Sequence, residues 1–243
     1  SANVEKTTAG FTLSQADREA LAAGERITLS NGGGDTVQIE LVANFPDYIS
    51  DPLPGFPDIV RGSNPFGVVV VGNSLYVTDG GRNLVWKVNL ATGEFAPLAT
   101  FPPVPNPLPI AGPVVEAVPT GIEYAGGRLL VTLFSGVPFP PGVSSVVRID
   151  PVTGEQVPLI TGLKTAIEVI VTSSGSYLVL QHSSGTAPFF AGPGVVLRFD
   201  TPTSMPVVVA DCFVRPTSMV LDERSGILYV AEYLTGRVVA LRL

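Results

Sequence analysis

Acidic side chains are the residues of this chain most able to do chemistry, because they recur at matching places in a repeated pattern. Asp79 and Glu232 each end an apolar, strand-like segment, and Glu123 and Glu168 match one another near the start of their repeats. Carboxylate oxygens suit Ca²⁺, a hard cation that takes roughly six to eight oxygen ligands at about 2.3 to 2.6 Å. These four residues are therefore the candidate metal ligands, if the fold gathers matching positions around one axis.

The same carboxylates also have structural interpretations. Alternation along a strand could point Glu123 and Glu168 between neighbouring sheets, where each would need a partner such as an arginine. Asp79 stands beside a Gly-Gly pair in "TDGGRN", so turn stabilisation explains it without a ligand. Structural or solvated roles are favoured over a bound cation, and a bound cation over catalysis.

Other catalytic arrangements find little support in the sequence. His182 is the single histidine, and we predict a hydrogen-bonded structural role for it. No G-x-S-x-G or H-E-x-x-H motif occurs. Cys212 is the single cysteine, which excludes a disulfide within the chain, and its apolar flanks predict a buried small side chain. "SNGGGD" lacks the lysine of a phosphate loop and predicts a hairpin turn.

Aromatic residues are few but bunched in the segments that follow certain predicted strands. Counting His182, the group consists of Phe134, Phe139, His182, Phe189, Phe190 and Tyr233. If these segments gather on one face, they form an apolar rim that could hold a small aromatic ligand or a loop of a partner protein. Packing of the long loops against one another is the alternative.

The elements that position these residues are four repeats, which begin near residues 64, 119, 165 and 216. Each repeat shows short alternating segments separated by tight turns, as in "LYVTDGGRNLVWKVNLATGEFAPL". Four short antiparallel strands per repeat are typical of a β-propeller blade. A lone sheet of this kind cannot cover both faces, so the blades must stack around a shared axis.

Matching positions support the same interpretation. A small residue near the first strand suits the crowded centre of a propeller, and these residues are Gly67, Gly121, Ala166 and Ser218. In the second strand, Val77, Val131, Val179 and Val230 fall in register and should fill the space between blades.

The ends of the chain are irregular. The last repeat stops after its third strand, and the early segment "TVQIELVA" could complete that blade or an additional one. "LSQADREALAAGE" predicts the only helix, with Ser14 as its cap, Asp17 in its first turn and Gly24 at its end. We predict one all-β propeller domain over residues 1–243, of four to six blades with five as the central estimate, in which residues 1–24 are an N-terminal extension with a short helix.

Composition limits the partners. Charged residues make up 14% of the 243 residues, and the net charge of −7 disfavours nucleic acid and anionic membrane surfaces. No stretch approaches the roughly 20 apolar residues that span a bilayer. The start of the sequence has no basic or apolar region of a signal peptide, so we expect that such a leader is absent or was removed.

The segments "NPFGVVV…LYVTDGGRNLVWKV" and "LLVTLFSGVPFPPGVSSVVRIDPVTGE" resemble the ScyD/ScyE family of propeller proteins, which is related to NHL-type propellers. The resemblance covers roughly residues 25 to 243, and "GVPFPPG" is its most specific part. It implies a secreted or periplasmic propeller, usually of six blades. The sequence departs from the family at Val131 to Phe134, which replaces an acidic residue, and in lacking the first blades of a full-length member.

Together these features predict an extracellular or periplasmic binding or scaffolding module, with an unknown small molecule or protein at one propeller face and no evident catalytic machinery. The alternative is a Ca²⁺-dependent lactonase or related hydrolase that uses the four carboxylates. A third class is an incomplete propeller that another chain closes, which would make the protein an oligomer.

Overall fold

The computed structural model describes residues 10–50, 57–58 and 60–243. The chain divides into two compact units, Ser1–Phe45 and Pro46–Leu243, and each is described by itself. The predicted all-β propeller is confirmed, with a single helix in the described residues. No helix in those residues has the length and apolar character needed to cross a membrane.

The helix of the first unit, α1 (Gln15–Ala22), begins and ends as the sequence predicts. The Ser14 hydroxyl accepts a hydrogen bond from the Asp17 backbone N–H at 3.1 Å, and the Asp17 carboxylate accepts one from the Ser14 backbone N–H at 2.8 Å. This reciprocal pair satisfies two N–H groups that have no partner within the helix. Gly24 follows the helix with a positive φ of 82°, as a helix-ending glycine often does.

A β-hairpin completes the first unit. β1 (Ile27–Ser30) pairs antiparallel with β2 (Thr36–Ile39), and the "NGGGD" segment forms the turn. The Asn31 side-chain oxygen accepts from the Gly33 N–H at 2.8 Å, which stabilises the turn. The segment "TVQIELVA", expected as a strand of a blade, therefore has its strand β2 paired with β1 in a sheet of two strands.

The second unit consists of blades, with two short strand pairs in the connecting segments. The pair before the first blade is β3 (Ile49–Ser50) and β4 (Val60–Arg61). Blade 1 comprises β5 (Pro65–Val71), β6 (Ser74–Asp79), β7 (Leu84–Asn89) and β8 (Phe95–Thr100). The pair that follows it is β9 (Val104–Pro105) and β10 (Val114–Val115).

The next two blades each have four strands, and the last has three. Blade 2 comprises β11 (Pro119–Ala125), β12 (Arg128–Leu133), β13 (Ser144–Ile149) and β14 (Gln156–Leu163). Blade 3 comprises β15 (Ala166–Val171), β16 (Tyr177–Gln181), β17 (Gly194–Phe199) and β18 (Val207–Phe213). Blade 4 comprises β19 (Pro216–Asp222), β20 (Ile227–Glu232) and β21 (Arg237–Arg242). All strand pairs within a blade are antiparallel, in the order of the sequence.

Apolar side chains between consecutive blades form the core. One cluster lies between blades 1 and 2, around Val85 and Val131, and a second lies between blades 2 and 3, around Val146 and Val179. The third cluster, around Val230, lies between blades 3 and 4. This confirms that Val131, Val179 and Val230 fill the space between blades, where burial of apolar surface drives the stacking, whereas Val77 belongs to none of the three clusters.

The first strands of neighbouring blades lie close together, which explains two of the small residues that recur in the repeats, Gly67 and Gly121. A Cβ atom on Gly67 would lie 2.7 Å from the Thr120 carbonyl oxygen of the next blade. A Cβ atom on Gly121 would lie 2.8 Å from the Ile167 carbonyl oxygen. Only glycine permits this approach of backbone to backbone at the centre of the propeller.

The third repeat differs from its predicted alignment by two residues. In every blade the pairing between the first and second strands has a register irregularity. It lies between the first residue of the first strand and the residue that pairs with the second-strand valine. Val169, and not Ile167, pairs with Val179. Glu168 therefore occupies the place of Gly67, Gly121 and Ser218, whereas Ala166 stands where the other blades have proline. The equivalence of Glu123 and Glu168 is wrong for the same reason.

Cys212 is exposed, so its predicted burial is wrong. It lies near the end of β18, the outermost strand of blade 3, and its φ of 64° is positive. The apolar run "VVVADCFV" contains an edge strand in which successive side chains point to opposite faces. The next residue, Phe213, is the one that points inward and is buried.

Candidate aromatic site on the loops of blades 2 and 3

Two loops bring four members of the predicted aromatic rim together. Phe134 directly follows β12, and His182 directly follows β16, so both stand at the same place in neighbouring blades. Each begins a long connection to the third strand of its blade, over residues 134–143 and 182–193. Stacked blades carry these connections to one face, where side chains distant in sequence can meet.

The rings form one continuous cluster. Phe139 stacks on Phe190, with 4.3 Å between the centroids and 14° between the planes. His182 meets Phe190 edge-to-face at 4.8 Å. Phe134 contacts all three rings, at 5.8 Å from Phe139, 5.8 Å from His182 and 6.2 Å from Phe190. These separations lie in the range at which aromatic pairs attract one another.

The remaining two rim residues lie outside this ring cluster. Phe189 adjoins Phe190 on the same loop and is largely exposed; its backbone N–H donates to the Pro138 carbonyl at 2.6 Å, which joins the two loops. Tyr233 occupies the matching place in blade 4, after β20, and is 71% exposed. The cluster is defined here as Phe134, Phe139, His182 and Phe190.

Arg215 lies over the Phe190 ring of the cluster. Its guanidinium carbon lies 5.6 Å from the centroid of the Phe190 ring, a separation at which a cation attracts the ring face. Its two terminal nitrogens donate to the carbonyls of Phe190 and Gly192, at 2.5 and 2.9 Å. The arginine thus fixes both the ring and the backbone that carries it.

Lys164 also binds the 182–193 loop through hydrogen bonds. Its side chain is 4% exposed, and its ammonium group donates to the carbonyls of Gly185 and Ala187, both at 2.6 Å. A buried ammonium group needs such acceptors, because removal from water is costly. Two cations therefore hold the 182–193 loop through its carbonyl groups.

The electrostatics favour a neutral imidazole beside two fixed cations. Burial lowers the pKa of His182, the hydrogen bond between its Nδ1 and the Pro216 carbonyl opposes this in part, and the charge of Arg215 lowers it further. The pKa of Lys164 is also lowered, first by burial and then by Arg215. The hydrogen bond predicted for His182 is present, and its partner is the Pro216 carbonyl.

Solvent reaches the cluster through Phe190, which is 37% exposed. Phe134 and Phe139 are partly buried, whereas His182 is buried. The accessible part therefore includes the Phe190 ring of the stacked pair, with a guanidinium group beside it. Such a surface can bind a flat, electron-rich or anionic aromatic group by stacking and by charge.

Glu168 reaches the centre of the propeller. First-strand residues of all four blades, among them Phe66, Gly121 and Ser218, line a cavity of about 350 Å³ together with Glu168. The Glu168 carboxylate accepts a hydrogen bond from the Met219 N–H of blade 4 at 2.6 Å. Burial raises the pKa of this carboxyl, and the hydrogen bond from Met219 opposes the increase.

Glu123 makes the corresponding link between blades 2 and 3. Its carboxylate accepts from the Val171 N–H at 3.2 Å. Burial raises the pKa of Glu123 to about 6, and the negative charges of Glu168 and Glu223 add to the increase, against the hydrogen bond from Val171. Each glutamate links its blade to the next one, and the partner there is a backbone N–H group and not an arginine.

Asp79 and Glu232 tie down the segment that precedes the first strand of their own blade. Asp79 is fully buried and accepts from the Asn64 N–H at 2.8 Å and from the Trp86 indole N–H at 2.9 Å. It also accepts from the two N–H groups of the following turn, which confirms the predicted turn role. The Glu232 carboxylate accepts from the Val214 N–H at 2.7 Å.

The four predicted metal ligands thus lie at different levels of the propeller, each in a hydrogen bond to backbone. Glu123 and Glu168 lie near one another, whereas Asp79 and Glu232 lie at the strand ends. Over residues 10–50, 57–58 and 60–243, no three His, Cys, Asp or Glu side chains are grouped so that they could hold a metal ion. The Ca²⁺ site stays a prediction.

Sequence reasoning missed Lys164 and Arg215. Arg215 immediately precedes the first strand of blade 4, in "FVRPT". Lys164 lies two residues before the first strand of blade 3, in "GLKTA". The signal was a cation one or two residues before the first strand in two adjacent repeats. The role of these cations depends on the direction of the backbone carbonyls of the 182–193 loop. No residue type in the sequence indicates that direction.

Comparisons with known proteins agree on the fold. A chain in the crystal structure of a nidogen/laminin complex superposes with a TM-score of 0.55 and 14% identity, covering 73% of this chain and 60% of that chain. A gluconolactonase from Xanthomonas campestris gives a TM-score of 0.57 and 14% identity, covering 98% of this chain and 68% of that chain. At these identities the likeness establishes a β-propeller fold alone.

The chain spans 60% of the length of the matched chain in the nidogen/laminin complex. No protein-family model and no curated protein matches the sequence.

Proposed function

We propose that this protein is a propeller binding module, and that the aromatic cluster with Arg215 recognises a flat aromatic group on a small molecule or a partner protein. The observation that carries the proposal is the stacked Phe139–Phe190 pair, which two loops and the cations of Lys164 and Arg215 hold at the surface. Such preorganisation lowers the entropic cost of binding.

The resemblance to the ScyD/ScyE family supports a location outside the cytoplasm, in the extracellular space or periplasm, and membership of that family is part of the proposal. The nidogen/laminin neighbour belongs to a complex of proteins. A scaffolding role at the same face is compatible with this architecture.

The test uses 8-anilino-1-naphthalenesulfonate, a flat aromatic anion whose fluorescence rises on binding. We expect saturable binding to the folded protein, and an affinity at least about tenfold weaker in Phe190→Ala, because the accessible ring of the stack is removed. Arg215→Gln should weaken binding about threefold to tenfold through lost charge.

Tyr124→Ala is the matched control, since Tyr124 is an exposed aromatic residue on a first strand, away from the two loops. Its binding should equal that of the parent protein. Circular dichroism must show that each variant is folded, because the dye also binds partly unfolded proteins. Equal affinity in Phe190→Ala and the parent protein would refute the proposed site.

A Ca²⁺-dependent hydrolase is the second candidate, and Glu168 in the central cavity is the observation that favours it. Ligand binding to the folded state raises the melting temperature. The binding-module proposal predicts the same melting temperature in Ca²⁺ and in a chelator. An increase with Ca²⁺ that Glu168→Gln abolishes would favour the hydrolase instead.

A further inference from the structure

A cavity of about 630 Å³ lies between blades 2 and 3, both of which have all four strands. Residues of β14 line one side of it, and residues of β17 line the other. The 182–193 loop contributes at one end, and the connection from β17 to β18, over residues 200–206, contributes at the other. This volume lies in the range of small-molecule sites, roughly 300 to 1,000 Å³.

The part of the cavity away from the 182–193 loop has an apolar lining. Leu197 and Phe199 of β17 and Leu159 of β14 contribute aliphatic and aromatic side chains. Leu197 and Phe199 are buried members of the core cluster between blades 2 and 3. Met205, which also lines the cavity, is 87% exposed. A methionine side chain is flexible and adapts to an apolar partner, so this end suits a hydrocarbon group.

The end beside the 182–193 loop offers an unpaired hydrogen-bond donor. Gln181 is 6% exposed and lines the cavity. Its Oε1 atom accepts a hydrogen bond from the Lys164 backbone N–H at 2.8 Å, which identifies the other end of the amide as nitrogen. That Nε2 group has no hydrogen-bond partner among the described residues. Because buried amides are normally paired, an acceptor group of a ligand is the expected partner.

The charge of the lining favours an anionic acceptor. Lys164 lines the cavity, and neither aspartate nor glutamate is among the described residues that do so. This local balance is opposite to the net charge of −7 of the whole chain. The Lys164 ammonium group is held by loop carbonyls, but its charge still attracts a negative group nearby. A carboxylate combines the negative charge with the acceptor atoms that Gln181 requires.

The polar and apolar ends are separated along the strands. Gln181 pairs with Val195, and Phe199 lies further along the same strand, opposite Tyr177. At roughly 3.3 Å per residue, the step from Val195 to Phe199 measures about 13 Å. A ligand that reaches both ends therefore has an acidic head and an extended apolar chain.

We propose that this cavity binds a small carboxylic acid with an apolar chain, with the carboxylate at Gln181 and Lys164 and the chain directed toward Phe199 and Met205. The Gln181 amide donates to a charged acceptor in this arrangement, which gives a stronger hydrogen bond than a neutral acceptor would. None of the four residues of the aromatic cluster lines the cavity, so the proposal does not depend on the proposed function.

The test measures binding of octanoate to the full chain by isothermal titration calorimetry at pH 7. We expect saturable binding at one site. Butanoate has the same carboxylate and a shorter chain, so it buries less apolar surface and should bind at least about tenfold more weakly.

A charge substitution tests the acidic head of the ligand. Gln181→Glu keeps an oxygen that accepts from the Lys164 N–H, but it replaces the donor with a negative charge. Octanoate should bind this variant at least about tenfold more weakly, because two carboxylates repel one another. Gln156→Glu is the matched control, since Gln156 is exposed on β14 and does not line the cavity. Its binding should equal that of the parent protein.

A filling substitution tests the location without changing charge. Thr161 is exposed on β14 and lines the cavity, so Thr161→Phe should occupy part of the space and weaken octanoate binding at least about tenfold. Val157→Phe is the control, because Val157 is exposed on the same strand outside the cavity. Circular dichroism shows whether each variant is folded.

Three results would overturn the proposal. The first is the absence of saturable octanoate binding to the parent protein. The second is unchanged affinity in folded Gln181→Glu or folded Thr161→Phe. The third is loss of octanoate binding in Phe190→Ala, which would place the ligand at the aromatic cluster; the proposal predicts unchanged binding in that variant.

Discussion

At the scale of single residues, partly buried carboxylates in this propeller act as acceptors for backbone N–H groups of the next blade. Glu123 accepts from Val171, and Glu168 accepts from Met219. Each link joins two sheets that otherwise meet mainly through apolar contacts. The cost is that a carboxylate must stay charged while partly removed from water.

Glu123 gives the clearest dependence of stability on pH. Its pKa is about 6 in the folded protein against an ordinary value of 4.5. The folded state therefore binds the proton more tightly, so stability from this group falls as pH rises from about 4.5 to 6 and stays lower above that range. Below about pH 4.5 Glu123 is protonated in both the folded and the unfolded state, so its ionisation no longer changes the free energy of unfolding.

Glu123→Gln should accordingly stabilise the protein at pH 7 by about 1 kcal/mol, because glutamine is uncharged and its amide oxygen can still accept from Val171. This is roughly half of the full linkage value, since the side chain is partly exposed. Urea unfolding at pH 7 and pH 4 measures the effect. Glu155→Gln on an exposed turn is the control, and a destabilised Glu123→Gln at pH 7 would contradict the account.

At the scale of elements, the sequence predicted more about the strands than about their register. Alternation and turn residues located the strands of all four blades, and Ser14 with Gly24 located the helix. The register of blade 3 was missed because Ala166 is small like Gly67 and Gly121, although Glu168 occupies their place. A local irregularity changes which residue faces the centre, and residue size alone does not reveal it.

The aromatic rim could be predicted as a group but not as a site. Positions directly after second strands named Phe134, His182 and Tyr233, and two of these proved to share a cluster. Which loop residues complete it depends on the path of the 182–193 loop. That path is set by hydrogen bonds to Lys164 and Arg215, which join parts of the chain that are distant in sequence.

Lys164→Met tests how this loop is held. The change removes donors from the Gly185 and Ala187 carbonyls and should lower the free energy of unfolding by about 2 kcal/mol. Chemical denaturation measures the loss, and hydrogen exchange should quicken over residues 182–193. Arg148→Met on an exposed strand position should change stability by less than about 0.5 kcal/mol. An unchanged loop in Lys164→Met would show that other contacts position it.

At the scale of the whole molecule, repetition explains both the core and the binding surfaces. Blades 2 and 3 each bury one face against the blade before and one against the blade after, so apolar residues recur at the same places. The repeats also place equivalent loops beside one another, which forms the aromatic cluster from blades 2 and 3. Sequence could predict this stacking, because the pattern of one repeat requires a neighbour.

The central claim is that loops of adjacent blades form one aromatic recognition site on a propeller. The most direct measurement is a crystal structure of the protein with 8-anilino-1-naphthalenesulfonate. We predict density for the naphthalene rings against Phe190, with the sulfonate near Arg215. Density for the dye only at other surfaces, with the Phe139–Phe190 stack unoccupied at saturating dye, would contradict the account.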